Sequence, residues 1–325
     1  MPDFRRATGG GGEKGRAPPF PGGVFYHTRG GKENMPMPTP VASILLVYKT
    51  DAPKAHALAL EIAGWLSDAG VATLLRESQT DPSQWPQPRG RGADPAREPD
   101  LAILLGGDGT LLSEARKTKV GELPILGINL GRVGFLTSLG PRDWRPALAG
   151  ILKNGFHSVT RMCLDVSVVR DGEQVFATRA INDAVIGRGT MARLVELRLE
   201  YDGEYVCDLR ADGLIVATPT GATAYCVSAG GPLVHPDLET YCVTPVCPFQ
   251  TDLKPMVLPS GAPIAVTTLD PGADMHLTTD GQEGFPLRAR DRIHVTRAGR
   301  GITLVRLRED SYFEKLRRKG FVGQR

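Results

Sequence analysis

The chain has almost no charge of one sign to spare: 39 Lys and Arg stand against 36 Asp and Glu, a formal net charge of +3. That balance gives no field for gathering nucleic acid, and no nucleic-acid partner is expected. No apolar run approaches the ~18–20 residues that a membrane helix needs, so no membrane partner is expected either. A secretory apolar segment is missing from the amino-terminal region, and the expected location is cytoplasmic. Cysteine is sparse. Cys163, Cys207, Cys226, Cys242 and Cys247 are odd in number and form no Cys-x-x-Cys pair. They read as free thiols in a reducing compartment, in preference to a disulfide frame or a zinc site. The six histidines are scattered, with no pair at metal-ligand spacing.

The 325 residues are 41% hydrophobic and 23% charged, enough for packed cores in two domains or one large one. Residues 1–40 differ. They hold nine glycines and seven prolines, cannot bury enough apolar surface to offset their ordering entropy, and are expected to be a disordered tail. Met35 and Met37, just before the first strand-like run, are alternative starts.

From there the pattern alternates. Residues 42–49 are an apolar, parallel-type strand. Residues 54–69 follow at helical spacing, with Leu58, Ile62, Trp65 and Leu66 on one face and Gly70 as the stop. A strand over 71–75 and a Pro/Gly/Arg-rich loop over 79–99 lead to the strand LAILL at 101–105. A helix is expected from about 111 to 119, a strand over 124–129 and a helix over 142–153. Alternating strands and helices imply a parallel sheet.

After about residue 160, apolar residues recur at every second position, and Asp171-Gly172 and Asp202-Gly203 are hairpin signals. Strands are expected over 213–217, 264–268, 275–279 and 292–296, and residues 302–307 belong to the tail that follows. A basic helix near 313–319 is expected to pack back on the first domain with its basic face in solvent. The fold class is therefore an α/β amino-terminal domain with a Rossmann-like parallel sheet, followed by an all-β sandwich domain. The expected boundaries are 41–159 for the first, completed by about 297–325, and 160–296 for the second.

Four segments carry chemistry. The first is Gly106-Gly107-Asp108-Gly109-Thr110, at the carboxyl end of the LAILL strand. Its glycines let the main chain approach a phosphate, and the following helix offers its positive end. It is neither a Gly-Lys-Ser/Thr loop nor a Gly-x-Gly-x-x-Gly fingerprint. Its lone carboxylate suits proton acceptance from a hydroxyl or the holding of a divalent cation. The second is DGLIVATPTGATAYCVSAGGPLVHP over 212–236, dense in small and hydroxyl residues suited to ribose and phosphate oxygens, with Tyr225 able to stack on a base. The third is Asn182-Asp183, an amide and a carboxylate that break an apolar strand. The fourth, Asp280-Gly281-Gln282, reads on its own as a hairpin turn.

Together, in this order and spacing, the four resemble the NAD kinase family over about residues 42–310. GRVGFLT (131–137) and TPVCPFQTDLKPMVLP (244–259) are similar to family segments as well. The resemblance implies phosphorylation of the 2′-hydroxyl of the adenosine ribose of NAD to give NADP. The implied donor is ATP or inorganic polyphosphate, the cofactor a divalent cation such as Mg²⁺, and the assembly a homodimer or homotetramer. By position, Asp108 is implied as the proton acceptor, and Gly106, Gly107, Gly109 and Thr110 as the phosphate-donor turn. The implied NAD contacts are Asp108, Gly109, Asn182, Asp183, Arg193, Arg210, Asp212, Thr220, Thr223, Ala224, Tyr225, Cys226, Val227, Ser228, Cys247 and Gln282. Cys247 matches a position reached from a neighbouring subunit.

The chain departs from the family at Asp183, where glutamate is common, at Ala222 and Cys226, where serine is common, and at Pro248-Phe249-Gln250, where Pro-His is usual. A lipid kinase of the diacylglycerol or sphingosine type shares the glycine-rich turn, but the polar 218–225 loop argues against its apolar acceptor. A 6-phosphofructokinase-type sugar kinase shares only the Gly-Gly-Asp-Gly core. A non-catalytic NAD-sensing module would not need Asp108.

Overall fold

The computed structural model describes residues 41–78, 88–90, 94, 97–116, 118–131, 134–189, 193–249, 253–270, 274–307 and 311–323. The expected tail over 1–40, most of the loop over 79–99, and Gln250 lie outside the described residues.

The first part of the chain alternates as its pattern predicts. It runs β1 (Ser43–Tyr48), α1 (Pro53–Asp68), β2 (Ala72–Glu77), β3 (Leu101–Leu105), α2 (Asp108–Ala115), α3 (Thr118–Gly121), β4 (Pro124–Ile128), α4 (Trp144–Asn154) and β5 (His157–Arg161). Strands then dominate: β6 (Leu164–Arg170), β7 (Glu173–Ala180), β8 (Asp183–Arg188), β9 (Val195–Tyr201), β10 (Glu204–Ala211) and β11 (Gly213–Ala217). A 3₁₀ turn (Gly221–Thr223) and α5 (Tyr225–Ser228) interrupt them. The chain continues through β12 (Thr240–Val246), β13 (Met256–Pro259), β14 (Ile264–Thr268), β15 (Met275–Thr279), β16 (Glu283–Leu287), β17 (Arg292–Arg297), β18 (Ile302–Arg306) and α6 (Tyr312–Arg318).

The first sheet has the order β2-β1-β3-β4-β18-β5. All its pairings are parallel except β18 with β5. Its strands read as unbroken apolar runs because both faces are covered. Ile44 and Leu46 of β1 pack with α1 and α4 residues Ile62, Leu66, Trp144 and Leu148. Leu45 and Val47 pack on the other side with Leu111, Leu112 and Ala115 of α2. Each such fully buried aliphatic side chain contributes roughly 1.5–3 kcal/mol. β1 pairs β2 on one side and β3 on the other, so connections leave in opposite directions at the carboxyl ends of β1 and β3. That is the switch point where open α/β sheets bind ligands, and residues 106–110 follow β3 directly.

The second part is a sandwich of two antiparallel sheets, β10-β9-β14-β17-β6-β7 and β13-β12-β11-β8-β15-β16. Alternate residues of both, such as Val166, Leu197, Val266 and Val295 against Ile186, Val216, Val243 and Leu277, form one core. Asp171-Gly172, Asp202-Gly203 and Asp280-Gly281 all have positive φ at both positions, the conformation of two-residue hairpin loops that suit strand twist. β18 returns to the first sheet and separates β4 from β5.

Two local expectations are corrected. The helix expected over about 111–119 starts at Asp108 and ends at Ala115, and α3 is a separate single turn. Gly107 caps α2 in an extended conformation (φ −97°, ψ −175°), and the Asp108 carboxylate complements the positive helix end. No apolar period in a glycine-rich turn announces this. The basic face of α6 is not wholly in solvent: Lys315 is 9% exposed and its Nζ donates to the Phe135 carbonyl (3.0 Å), while Arg317 and Arg318 face water. No helix among the described residues is long and apolar enough to cross a membrane.

Candidate active site

Asp108 opens α2, where the first backbone N–H groups have no intrahelical partner. Its carboxylate grips the segment 134–137. Oδ2 accepts from Phe135 N (2.7 Å), and Oδ1 accepts from Thr137 N (3.0 Å) and Thr137 Oγ1 (2.8 Å). Gly134 must be glycine, since a Cβ there would land on this carboxylate. A carboxylate has about four acceptor positions, and three are taken among the described residues. The fourth lies on Oδ2. Residues 134–137 thus act as the bracket that orients Asp108, a role that their composition does not announce.

Asn182 and Asp183 stand at the amino end of β8, in the other domain. Asp280 organises them from the β15–β16 turn. Its Oδ1 accepts from the main-chain N–H groups of Ile181 (3.1 Å), Asn182 (2.7 Å) and Asp183 (3.2 Å). The turn thus holds a carboxylate that is 0% exposed. Nothing local announces this, because Asp-Gly is an ordinary hairpin signal. Thr218 Oγ1 donates to the Ile181 carbonyl (2.7 Å), and Thr218 N to the Asn182 carbonyl (2.8 Å). These bonds seat the 218–223 turn on Asn182. Gly221 has no room for a side chain, because a Cβ would meet the Asn182 carbonyl.

The Asp183 carboxyl is buried and makes no hydrogen bond among the described residues. Burial, then the nearby Asp280 and Cys226, push it up to about 7. Burial also raises Asp280, against three main-chain donors and Arg116, which lower it. Between about pH 4 and 7 the folded chain therefore keeps a proton on Asp183 that the unfolded chain has released. Stability falls as pH rises through that window and is level above it. The size is on the order of 4 kcal/mol at 1.36 kcal/mol per pH unit. Asp183→Asn should thus raise the melting temperature more at pH 8 than at pH 5. An equal change at both pH values would contradict this account.

The two domains meet at these elements. Gln282 Nε2 donates to the Gly109 carbonyl (2.8 Å), and Arg116 Nη2 donates to Gln282 Oε1 (3.1 Å). Both ends of the Gln282 amide, expected at NAD, are engaged in the domain contact. Thr220 and Thr223 line a cavity of about 80 Å³ together with Phe135, Leu136, Tyr312 and Lys315. α6 closes it, with Tyr312 Oη donating to the Val234 carbonyl (2.9 Å) and Phe321 packed on Phe135.

The structure separates the remaining expected residues. Ala224, Tyr225, Val227 and Ser228 lie on the α5 loop over the outer face of the second sheet, with Tyr225 and Ser228 exposed. Cys226 is fully buried beneath them, its Sγ 3.4 Å from Thr244 Oγ1. Its side chain belongs to the core. Arg210, Asp212 and Cys247 sit at the opposite end of β8 and β11 from Asp183, since Asp183 pairs Ala217 and Gly187 pairs Gly213. About five residues of strand put the two ends roughly 17 Å apart. There Asp212 pairs with Arg188 (2.8 Å), Arg210 with Glu196 (3.1 Å), and Cys247 has φ +46°. Arg193 is exposed and pairs with Asp270 (3.3 Å).

The structure thus sets a glycine-bounded aspartate at the switch point of an α/β sheet, facing a β-sandwich across a shared polar contact. Comparison with known proteins supplies the class. The ATP-NAD kinase N-terminal domain matches residues 44–156, and the ATP-NAD kinase C-terminal domain matches residues 181–307. The chain is 44% identical over 286 residues to an NAD kinase of Nitratidesulfovibrio vulgaris, covering 88% of this chain and 99% of that one. It is 39% identical over 286 residues to an NAD kinase of Geobacter metallireducens, with 87% and 99% covered. An NAD kinase from Archaeoglobus fulgidus solved in complex with ATP superposes with a TM-score of 0.67 at 27% identity, covering 85% of this chain and 98% of that one. Yeast NADH kinase complexed with NADH shares the fold, with a TM-score of 0.73 at 24% identity and coverage of 88% and 89%. The chain belongs to the NAD kinase family.

Proposed function

We propose that the face where the Asp108 turn meets Asn182-Asp183 is where phosphoryl transfer takes place, with Asp108 as the acceptor of the proton from the ribose 2′-hydroxyl. As a member of this family the chain phosphorylates NAD to NADP, with ATP as the phosphoryl donor. One observation carries the placement. A buried Asp183 carboxyl without a donor among the described residues and an Asp108 with one acceptor position left among them belong to opposite domains, linked through Gln282 and Asp280. A ribose supplies the hydroxyl donors that both lack. The adenosine side of NAD is read onto Asn182, Thr220, Thr223 and the Ala224–Ser228 loop. The N–H groups at the start of α2 and the turn Gly106–Thr110 then receive donor phosphates.

The new bond joins the 2′-oxygen to the terminal phosphorus as the bond to the leaving phosphate oxygen breaks. The hydroxyl proton passes to Asp108 Oδ2. Such transfer is governed by positioning and charge neutralisation. The bracket of three donors on Asp108 serves positioning, since it fixes which oxygen faces the substrate.

A divalent cation, Mg²⁺, is proposed as cofactor. No cluster of three or more His, Cys, Asp or Glu side chains that could hold a metal occurs among the described residues. Asp108 is the carboxylate at the phosphate turn and would stand beside an ion carried on the triphosphate, as Mg²⁺ commonly is. When bound, the ion neutralises phosphate charge. Polyphosphate is proposed as a second donor, from the family resemblance alone. A homodimer or homotetramer is also proposed. Arg193, Arg210, Asp212 and Cys247 can act as the resemblance implies if a second copy meets their end of the sandwich. The five free cysteines fit a cytoplasmic, reducing setting.

NADP formation from NAD, with ATP or polyphosphate and with MgCl₂ or excess chelator, tests the reading. Product with ATP and Mg²⁺, abolished by chelator, is expected. No product with any donor and cation would overturn it.

A further inference from the structure

Arg116 ends α2, seven residues after Gly109, and its side chain crosses to the other domain. Nη2 reaches Gln282 Oε1 at 3.1 Å, and Nη1 reaches Thr279 Oγ1 at 3.4 Å and Glu283 Oε2 at 3.5 Å. Nε lies 3.8 Å from Asp280 Oδ2. The side chain is only 15% exposed. Gln282 passes the contact back to the start of the same helix through the Gly109 carbonyl (2.8 Å). One hairpin therefore holds α2 at two points, about 10 Å apart along its axis. Two points set the direction of a helix as well as its distance. The same hairpin carries Asp280, whose Oδ1 holds the main chain of Asn182 and Asp183. Only the planar fork of an arginine can serve Gln282, Thr279 and Asp280 together. A lysine offers a point charge.

We propose that Arg116 is a positioning residue for phosphoryl transfer: through Gln282 and Asp280 it sets where the Asp108 turn stands against Asn182-Asp183. The proposal rests on those residues being the site, as argued above. Asp108 and Asp183 come from different domains, and a misplacement of about 1 Å can cost on the order of 10²-fold in rate.

Steady-state kinetics on the full chain, with NAD varied at saturating ATP and Mg²⁺, tests this in Arg116→Met, Arg116→Lys, Gln282→Ala and the double variant Arg116→Met/Gln282→Ala. In Arg116→Met, kcat/KM for NAD should fall about 10- to 100-fold, with KM itself raised. Arg116→Lys should recover part of the loss, because the ammonium keeps one arm of the contact. Because the two side chains act as one unit, the double variant should be no worse than the poorer single. A purely structural arginine would lower the melting temperature and the active fraction, which scales kcat and leaves KM alone. An unchanged KM for NAD in both Arg116 variants overturns the proposal, as do losses that multiply in the double variant. If Arg116→Met does not fold, Arg116→Lys and Gln282→Ala carry the same comparison.

NAD titration calorimetry on the same preparations separates the two readings. Wild-type chain that binds NAD yet forms no NADP would strike the proposed activity alone. The positioning role is then upheld if NAD affinity falls in the same order across the variants, and lost if it does not.

Discussion

Asp108→Asn should lower kcat by about 10²–10⁴, the range expected when a positioned proton acceptor is removed. The geometry adds a second consequence. With its amide oxygen in the place of Oδ1, asparagine keeps both bonds from Thr137 (3.0 and 2.8 Å). Its NH₂ then faces the Phe135 N–H, which now donates to Oδ2 at 2.7 Å. Two donors meet where a donor and an acceptor met, and an unsatisfied buried donor costs about 1–3 kcal/mol. The variant should therefore melt at a lower temperature as well as turn over slowly. NAD affinity should change less than turnover, because Asn182, Asp183 and the 218–228 loop lie in the other domain. Kinetics and thermal unfolding of the same preparation check both parts. Near-normal turnover would remove Asp108 from the chemistry, whatever happened to stability.

The second large effect concerns α2 from its inner side. Glu114 is wholly buried and paired with Arg76 from the end of β2, itself 6% exposed. Arg76 Nε and Nη1 are buried with no hydrogen-bond partner among the described residues, so the carboxylate is what balances this guanidinium there. Glu114→Ala should destabilise the chain by about 3–5 kcal/mol, the usual cost of leaving one member of a buried pair alone. Replacing both, as Arg76→Leu/Glu114→Leu, should recover much of that loss, since the desolvation of both charges is also removed. Urea unfolding of the two variants gives the comparison. A loss below about 1 kcal/mol in Glu114→Ala would mean that water or a shifted side chain compensates the guanidinium. Because α2 carries Asp108 at its other end, this pair also bears on how firmly the turn is held.

Much of the fold was legible because its signals are local. The apolar runs of β1 and β3, the helical spacing of α1, the period-2 strands from β6 onward and the Asp-Gly hairpins each depend on a few neighbouring residues. The start of α2 was not legible, since its first turn is glycine and aspartate. Nor was the burial of Lys315, which depends on α6 meeting the Phe135 carbonyl across 180 residues of chain. The four chemical segments were recognisable by type and order. Their division of labour was not. Asp280 looks like any hairpin aspartate until its carboxylate is seen on the N–H groups of 181–183, and Arg116 looks like a solvated arginine at a helix end.

The sequence by itself therefore determined the two domain types, the reaction class to expect and the aspartate around which to look. The tertiary structure alone decided which groups face one another. It committed Gln282 to the domain contact, turned Cys226 into the core, and set Asp183 and Asp212 at opposite ends of the same sheet. The physical reason is range. Backbone periodicity and turn chemistry act over a few residues, whereas a substrate site between domains is made by contacts that chain proximity does not encode.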